Sequence, residues 1–180
     1  TKGMARSISI LFVALGVISF ASSFCVKPEM GGNVREICRL SMVYGTPRPV
    51  QIIPSILPAD WANLGAECKR LEDAGVERIQ FDVMDGNFVP NLTFGPELIA
   101  ACRKYTRAPF ETQLMVSNYN CDIMLDQYTK ATLGPNSEPG VIILHVEGNV
   151  HLHRALKKLR EYGGSPSGAL NPHTPPQMIE

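Results

Sequence analysis

The stretch Ile79-Gln80-Phe81-Asp82-Val83-Met84-Asp85-Gly86 decides the predicted fold of this chain. Apolar and polar residues alternate along it and an Asp-Gly pair ends it, a pattern typical of a buried strand that enters a loop. Successive side chains on a strand point to opposite faces, so Gln80, Asp82 and Met84 share one face, and the other face is wholly apolar. An unpaired buried carboxylate is costly. Asp82 is therefore either satisfied by neighbouring backbone or a catalytic group at the end of a barrel strand.

The composition is that of an ordinary globular protein. The 180 residues suffice for one good-sized domain, 44% of them are hydrophobic, and 17 basic residues balance 17 acidic ones. This balance argues against a nucleic-acid surface and against a polybasic membrane patch. The five cysteines have neither zinc-site spacing nor a disulfide framework, so we expect reduced thiols and no structural metal.

Residues 1–50 are expected to be a targeting presequence and linker rather than part of the fold. Residues 7–24 carry no charge, follow Lys2 and Arg6, and contain the small residues Ala21-Ser22-Ser23, which is the pattern of a secretory signal peptide. The apolar run is short for a membrane span, although a signal anchor and a non-native upstream stretch stay open as alternatives. An irregular basic segment follows and resembles the bipartite presequence of algae with secondary plastids. We therefore expect a plastid or secretory destination, or a cytoplasmic one if the segment is not native.

From residue 51 strands alternate with helices. The predicted strands cover residues 51–57, 77–84, 109–116, 141–146 and 167–170. Two predicted helices begin after Asp60 and after Gly95, two more cover about residues 119–131 and 150–162, and a last one begins near residue 174. This alternation indicates about five βαβ-type units around a parallel sheet. No Gly-x-Gly-x-x-Gly follows the first strand, which leaves an open doubly wound sheet or a truncated barrel. The start at Thr1 and the end at Glu180, inside a predicted helix, lead us to expect a fragment.

Polar residues recur near the carboxyl ends of four successive predicted strands. They are Ser55, Gln80, Asp82, Glu111, Gln113, His145 and Glu147. In a parallel barrel these strand ends form one mouth, where active sites lie. The alternative is a set of satisfied core groups, of which His145 is the first candidate. His151 and His153 are expected on a solvated helix face, and Asp85 is expected to shape the Asp-Gly turn.

Five blocks of the sequence, in order, resemble the ribulose-phosphate 3-epimerase family. They are Ile53-Pro54-Ser55-Ile56-Leu57, the run 81–91 (Phe-Asp-Val-Met-Asp-Gly-Asn-Phe-Val-Pro-Asn), Leu114-Met115-Val116, His145-Val146-Glu147 and Leu170-Asn171-Pro172. The resemblance covers about residues 51–180. It implies an α/β fold, a (β/α)8 TIM barrel of the ribulose-phosphate-binding type that is truncated here after about five βα units.

The resemblance also implies a reaction: interconversion of D-ribulose 5-phosphate and D-xylulose 5-phosphate. A carboxylate removes the C3 proton, a second one reprotonates from the opposite face, and a divalent metal (Zn, Fe, Mn or Co) stabilises the enediolate. Asp82 matches the first catalytic carboxylate, which is also a metal ligand. Ser55, Met84 and Gln113 match substrate-contacting positions. The expected partner is a small sugar phosphate, and the resemblance leaves room for a homo-oligomer.

The sequence departs from the family at the metal site. Gln80 and Gln113 stand where the family has its two histidine ligands, and an amide oxygen is a harder, weaker donor than imidazole for zinc-like ions. Three outcomes stay open: weak metal binding, a different ion, or direct hydrogen bonds from the two amides to the enediolate. His173 also replaces the glycine that follows Asn-Pro in the family.

The family's last three βα units, with the second catalytic Asp and the phosphate-binding loops, do not appear in this sequence. We therefore expect the 180-residue chain alone to lack epimerase activity, and measurable conversion of ribulose 5-phosphate by it would refute this. Two alternative functions stay open. One is a related epimerase, such as one acting on allulose 6-phosphate, and the other is a non-catalytic barrel that binds sugar phosphate.

Overall fold

Parallel strands alternate with helices from residue 51 onward in a computed structural model of the chain. The structure describes residues 51–179, except for the side chains of residues 118–123, so the expected presequence in residues 1–50 lies outside the described residues. The helices are α1 (Leu64–Asp73), α2 (Pro96–Cys102), α3 (Asn118–Thr132) and α4 (Leu152–Glu161), and the strands are β1 (Ile79–Met84), β2 (Phe110–Met115), β3 (Val141–His145) and β4 (Ser165–Ala169). Short 3-10 helices cover Trp61–Asn63 and Pro176–Ile179.

The sheet has the order β1-β2-β3-β4, and every neighbouring pair is parallel. Each strand therefore pairs with the next one in sequence, and across residues 51–179 the order does not reverse as it does in a doubly wound sheet. The predicted α/β class is confirmed, and the arrangement is that of part of a (β/α)8 barrel.

The first predicted strand, residues 51–57, is wrong as a full strand, because only Ser55 forms a parallel bridge, to Gln80. The Gln80 N–H donates to the Pro54 carbonyl at 2.9 Å, and the Ile56 N–H donates to the Gln80 carbonyl at 2.9 Å. Pro54 has no N–H, so the next bond of the ladder towards residue 51 is missing. The single bridge is nevertheless enough to place Ser55 beside β1.

Local signals explain how the helices begin and end. Asp60 caps the first turn by accepting from the Ala62 N–H at 3.0 Å, and Pro96 occupies the first turn of α2. Gly75 follows α1 with φ +79°, a left-handed conformation that favours glycine. β4 begins two residues earlier than predicted. Its sequence, Ser-Pro-Ser-Gly-Ala, shows little apolar alternation, so the pattern does not mark where the strand starts.

The apolar face of β1 packs against the helices. Phe81 is fully buried and forms edge contacts with Phe110 and Phe94, at ring-centroid distances of 4.7 and 5.9 Å. The same core contains Cys68 and Ile99, which come from α1 and α2. Since side chains alternate along a strand, this packing turns the face that carries Gln80, Asp82 and Met84 away from the helices, as a barrel interior requires.

None of the helices within residues 51–179 has both the length and the apolar run needed to cross a bilayer.

Candidate active site

A row of hydrogen-bonded side chains crosses the inner face of the sheet, and Asp82 lies at its start. Asp82 is 1% exposed, and its two carboxylate oxygens accept from different donors. The Ser55 hydroxyl donates to Oδ2, and the Gln80 amide Nε2 donates to Oδ1 at 2.7 Å. The predicted catalytic carboxylate is thus buried, oriented by two side chains, and placed away from the helices.

The row continues through the second glutamine. Gln80 Nε2 also donates to Gln113 Oε1 at 3.0 Å, across the register that pairs Asp82 with Gln113. Gln113 Nε2 lies 2.9 Å from His145 Nε2, and His145 Nδ1 lies 3.5 Å from Glu147 Oε2, an ion-pair distance without hydrogen-bond geometry. Hydrogen bonds therefore link side chains from residue 55, β1, β2 and β3, and Glu147 in the loop after β3 lies next to the last of them.

The donors and acceptors of this row all run in one direction. An ionised carboxylate only accepts, so Gln80 must turn its nitrogen to Asp82, and Gln113 must then turn its oxygen to Gln80. The Gln113 nitrogen consequently faces His145, whose Nε2 must accept. A neutral imidazole that accepts at Nε2 carries its hydrogen on Nδ1, facing Glu147.

The charges around His145 agree with a neutral ring. Burial lowers the pKa of His145 below its ordinary value, and Glu147 opposes that shift only in part. Burial would raise the pKa of Glu147, but hydrogen bonds from Thr174 and from the Asn171 N–H hold it below its ordinary value. Glu147 is thus an ionised carboxylate at the far end of the row.

The predicted substrate-contacting Met84 lies at the carboxyl end of β1, opposite Met115 in the register, and both are largely buried. The Met84 N–H donates to the Thr93 hydroxyl at 2.9 Å, and this hydroxyl donates to the Asp82 carbonyl at 2.9 Å. Thr93 thereby holds the end of β1, and with it Met84, against the loop that follows.

Asp85 shapes the turn after β1, as expected. Its Oδ1 accepts from the N–H groups of Asn87 and Phe88 at 2.9 and 2.8 Å, and its Oδ2 accepts from the Ser117 N–H at 2.8 Å and from the Ser117 hydroxyl at 2.9 Å. Burial opposes ionisation of this carboxyl, but these hydrogen bonds outweigh burial and lower its pKa from 3.8 to about 2. The Phe88 ring that it positions packs on His145, with ring centroids 5.0 Å apart.

We predict that Asp85→Asn destabilises the protein by about 1–2 kcal/mol at pH 7, because charge-assisted hydrogen bonds to Ser117 are lost. A lowered pKa means that the wild-type advantage is present above about pH 4 and is lost as the pH falls through about 2. Urea unfolding of both proteins between pH 7 and pH 3 measures it. A stability gap that stays constant over this range would contradict the assignment.

Glu111 does not join the row, so its predicted place in the mouth is wrong. It is the second residue of β2, and its carboxylate accepts from Arg78 Nη1 at 2.8 Å. Arg78 also donates to the Gln51 side chain at 2.6 Å. Burial raises the pKa of Glu111 while Arg78 opposes this. The pair lies towards the amino ends of the strands, below the row.

The remaining histidines lie apart from the row. His151, His153 and His173 are exposed, which agrees with the solvated face expected for the first two. His145, expected in the mouth or as the first candidate for a satisfied core group, is buried and lies 2.9 Å from Gln113 in the row. The sequence signal that indicates this role is the position of His145 at the end of β3, two residues before a carboxylate.

The residues present do not fit a zinc- or iron-like ion. Around Asp82 the inner face supplies one carboxylate and two neutral amides, and the Gln113 oxygen already accepts from Gln80. Within residues 51–179, leaving aside side chains 118–123, no group of three or more His, Cys, Asp or Glu has the arrangement of a metal site. Amide oxygens are poor ligands for such ions, so the chemistry of these donors does not suit them.

Comparison with known proteins identifies the family. A model described as the ribulose-phosphate 3 epimerase family matches residues 51–180. The ribulose-phosphate 3-epimerase of Rhodobacter capsulatus is 41% identical over 133 residues, which is 74% of this chain and 55% of that protein. The Bacillus subtilis ribulose-phosphate 3-epimerase is 40% identical over 131 residues, covering 73% of this chain and 57% of that protein.

A plant protein is also similar. The protein named ribulose-5-phosphate-3-epimerase, chloroplastic, of Arabidopsis thaliana is 36% identical over 131 residues, covering 72% of this chain and 44% of that protein. The chain spans about half the length of the curated relatives it matches. With the strand order, the inner-face carboxylate and the matched region in agreement, this chain belongs to the ribulose-phosphate 3-epimerase family.

Proposed function

We propose that the full-length protein containing this chain interconverts D-ribulose 5-phosphate and D-xylulose 5-phosphate. The observation that carries the proposal is the placement of Asp82, a buried carboxylate on the inner face of β1 in a member of this family. Ser55 and Gln80 fix the carboxylate through its two oxygens. A general base must be held in this way if it is to meet one particular C–H bond.

In the proposed reaction, Asp82 takes the C3 proton of one epimer. That proton lies next to the C2 ketone, so its removal leaves an enediolate whose charge is spread onto oxygen. Met84 and Met115 give the mouth an apolar wall, which excludes water from the carbanion-like carbon. Reprotonation from the opposite face requires a second acid, which the family resemblance assigns to a later part of the barrel.

Gln113 is the proposed stabiliser of the enediolate, because Gln80 already donates both of its amide hydrogens, one to Asp82 and one to Gln113. Each amide nitrogen carries two hydrogens, and Gln113 uses one of its own on His145. Its second hydrogen is available to a developing oxyanion, and a preorganised donor of this kind commonly contributes about 10²–10³-fold to the rate. In the reaction proposed for this chain, an amide hydrogen rather than a metal ion stabilises the charge of the enediolate.

A non-catalytic sugar-phosphate-binding barrel is the second candidate, because glutamine stands at both expected histidine ligand positions. The intact hydrogen bonding of Asp82 favours the enzyme. For localisation we propose a plastid. This rests on the expected presequence and on the chloroplastic Arabidopsis relative.

Assays of the full-length protein against ribulose 5-phosphate and allulose 6-phosphate, with and without a chelator, test the proposal. Chelator-resistant conversion of ribulose 5-phosphate is the expected result. Activity on allulose 6-phosphate alone would show that this sugar phosphate, rather than ribulose 5-phosphate, is the substrate. A folded protein that is inactive on both and binds ribulose 5-phosphate would favour the non-catalytic barrel. Activity that a chelator abolishes and Mn²⁺ or Zn²⁺ restores would overturn the role of the amides.

A further inference from the structure

The inner-face row ends in a carboxylate at both sides. Asp82 ends it next to β1, and Glu147 ends it in the loop after β3. Glu147 is itself held in place, because its Oε1 accepts from the Asn171 N–H at 2.7 Å, in the loop after β4. The far end of the row is thus anchored to the backbone of a neighbouring βα loop.

The two ends demand the same direction of hydrogen bonding. Asp82 accepts only, which requires a donor from Gln80. Glu147 Oε2 lies 3.5 Å from His145 Nδ1, and its negative charge favours a hydrogen on that nitrogen. If the Gln113 amide turned over, its nitrogen would face the Gln80 nitrogen and its oxygen would face the unprotonated His145 Nε2. Both contacts would be repulsive, so one orientation of the amide is selected.

We propose that His145 and Glu147 are positioning residues that fix the Gln113 amide and, through it, the Gln80 amide. His145 is 2% exposed and its hydrogen bond in the row is made with Gln113, so it acts through Gln113. Glu147 acts one step further out, because its negative charge, 3.5 Å from Nδ1, favours the tautomer that accepts at Nε2. The inference rests on the proposed function and deepens it, since the Gln113 amide hydrogen that is oriented in this way is the one offered to the enediolate.

His145→Leu in the full-length protein removes the acceptor and keeps an apolar body of similar size. We expect kcat for ribulose 5-phosphate to fall about 10–100-fold, with KM changing much less, because misplaced catalytic groups lose transition-state contacts. His145→Gln places an amide oxygen near the position of Nε2 and is expected to recover most of this loss. His153→Leu, at an exposed position of α4, is the matched control and is expected to behave like the wild type.

A second readout does not depend on turnover. Hydrogen exchange of the ¹⁵N-labelled side-chain amides of Gln80 and Gln113, followed by NMR, reports whether the row is ordered. We expect faster exchange of both in His145→Leu, a smaller increase in Glu147→Gln, and near wild-type rates in His145→Gln, with core backbone amides unchanged.

The two readouts separate the possible failures. If the wild type does not convert ribulose 5-phosphate but the amide exchange follows this pattern, the proposed function fails and the positioning roles stand. If His145→Leu leaves both kcat and amide exchange unchanged, or if a folded His145→Gln is as impaired as His145→Leu, the inference is overturned. Should His145→Leu fail to fold, unchanged amide exchange in Glu147→Gln would overturn it equally.

Discussion

Asp82→Asn in the full-length protein is expected to lower kcat for ribulose 5-phosphate by about 10²–10⁴-fold, the usual contribution of a positioned general base. Asparagine has the same shape as aspartate but cannot take a proton, so the C3–H bond loses its acceptor. Its amide also meets the Ser55 and Gln80 donors with one oxygen instead of two. A coupled assay of both directions of the reaction measures the effect.

Asp73→Asn is the matched control for this prediction. Asp73 is the exposed last residue of α1, where it pairs with Lys69 at 2.6 Å, and the loss of such a surface pair is worth little. We expect its kcat to equal that of the wild type. Thermal unfolding of both variants checks that each is folded. A folded Asp82→Asn protein with a kcat within threefold of Asp73→Asn would contradict the role of Asp82 as base.

Replacing both glutamines by histidine, Gln80→His with Gln113→His, is expected to raise the affinity for Co²⁺ or Zn²⁺ by at least about 100-fold, since two weak neutral ligands become imidazoles. The positions are already close, because Gln80 Nε2 lies 2.7 Å from Asp82 and 3.0 Å from Gln113. Visible absorption of bound Co²⁺ and competition with a chelator measure the affinity.

The same double replacement with Asp82→Asn added is the control, and it is expected to lose most of the gain because the carboxylate ligand is gone. Single replacements should fall between the wild type and the double variant. If the wild-type protein binds Co²⁺ as tightly as the double variant, then the glutamines are adequate ligands. In that case the conclusion that the donor set does not fit a zinc-like ion is wrong.

Much of the fold is predictable because alternation along the strands is so regular. The two faces of β1 follow from Phe81 and Asp82 alone, and the core contacts of Phe81 confirm which face packs on the helices. Apolar content predicts a full strand over residues 51–57. Pro54 has no N–H to donate, however, and the pairing is limited to one bridge, between Ser55 and Gln80.

The candidate site is only partly readable from sequence. A period of two assigns Glu111 and Gln113 to the same face, but it does not give their depth along the barrel, and Glu111 pairs with Arg78 instead of joining the row. The contact between Gln113 and His145 depends on how β2 and β3 are aligned, which no pattern within either strand encodes. Residue type indicates the chemistry, whereas register decides which groups meet.

Deuterium incorporation at C3, followed by proton NMR in D₂O with a chelator present, tests the central claim that Asp82 removes the C3 proton. The full-length wild type is expected to exchange the C3 hydrogen of both ribulose 5-phosphate and xylulose 5-phosphate for deuterium. Asp82→Asn is expected to lose this exchange for at least one of the two epimers. Exchange of both epimers at the wild-type rate by a folded Asp82→Asn protein would contradict the account.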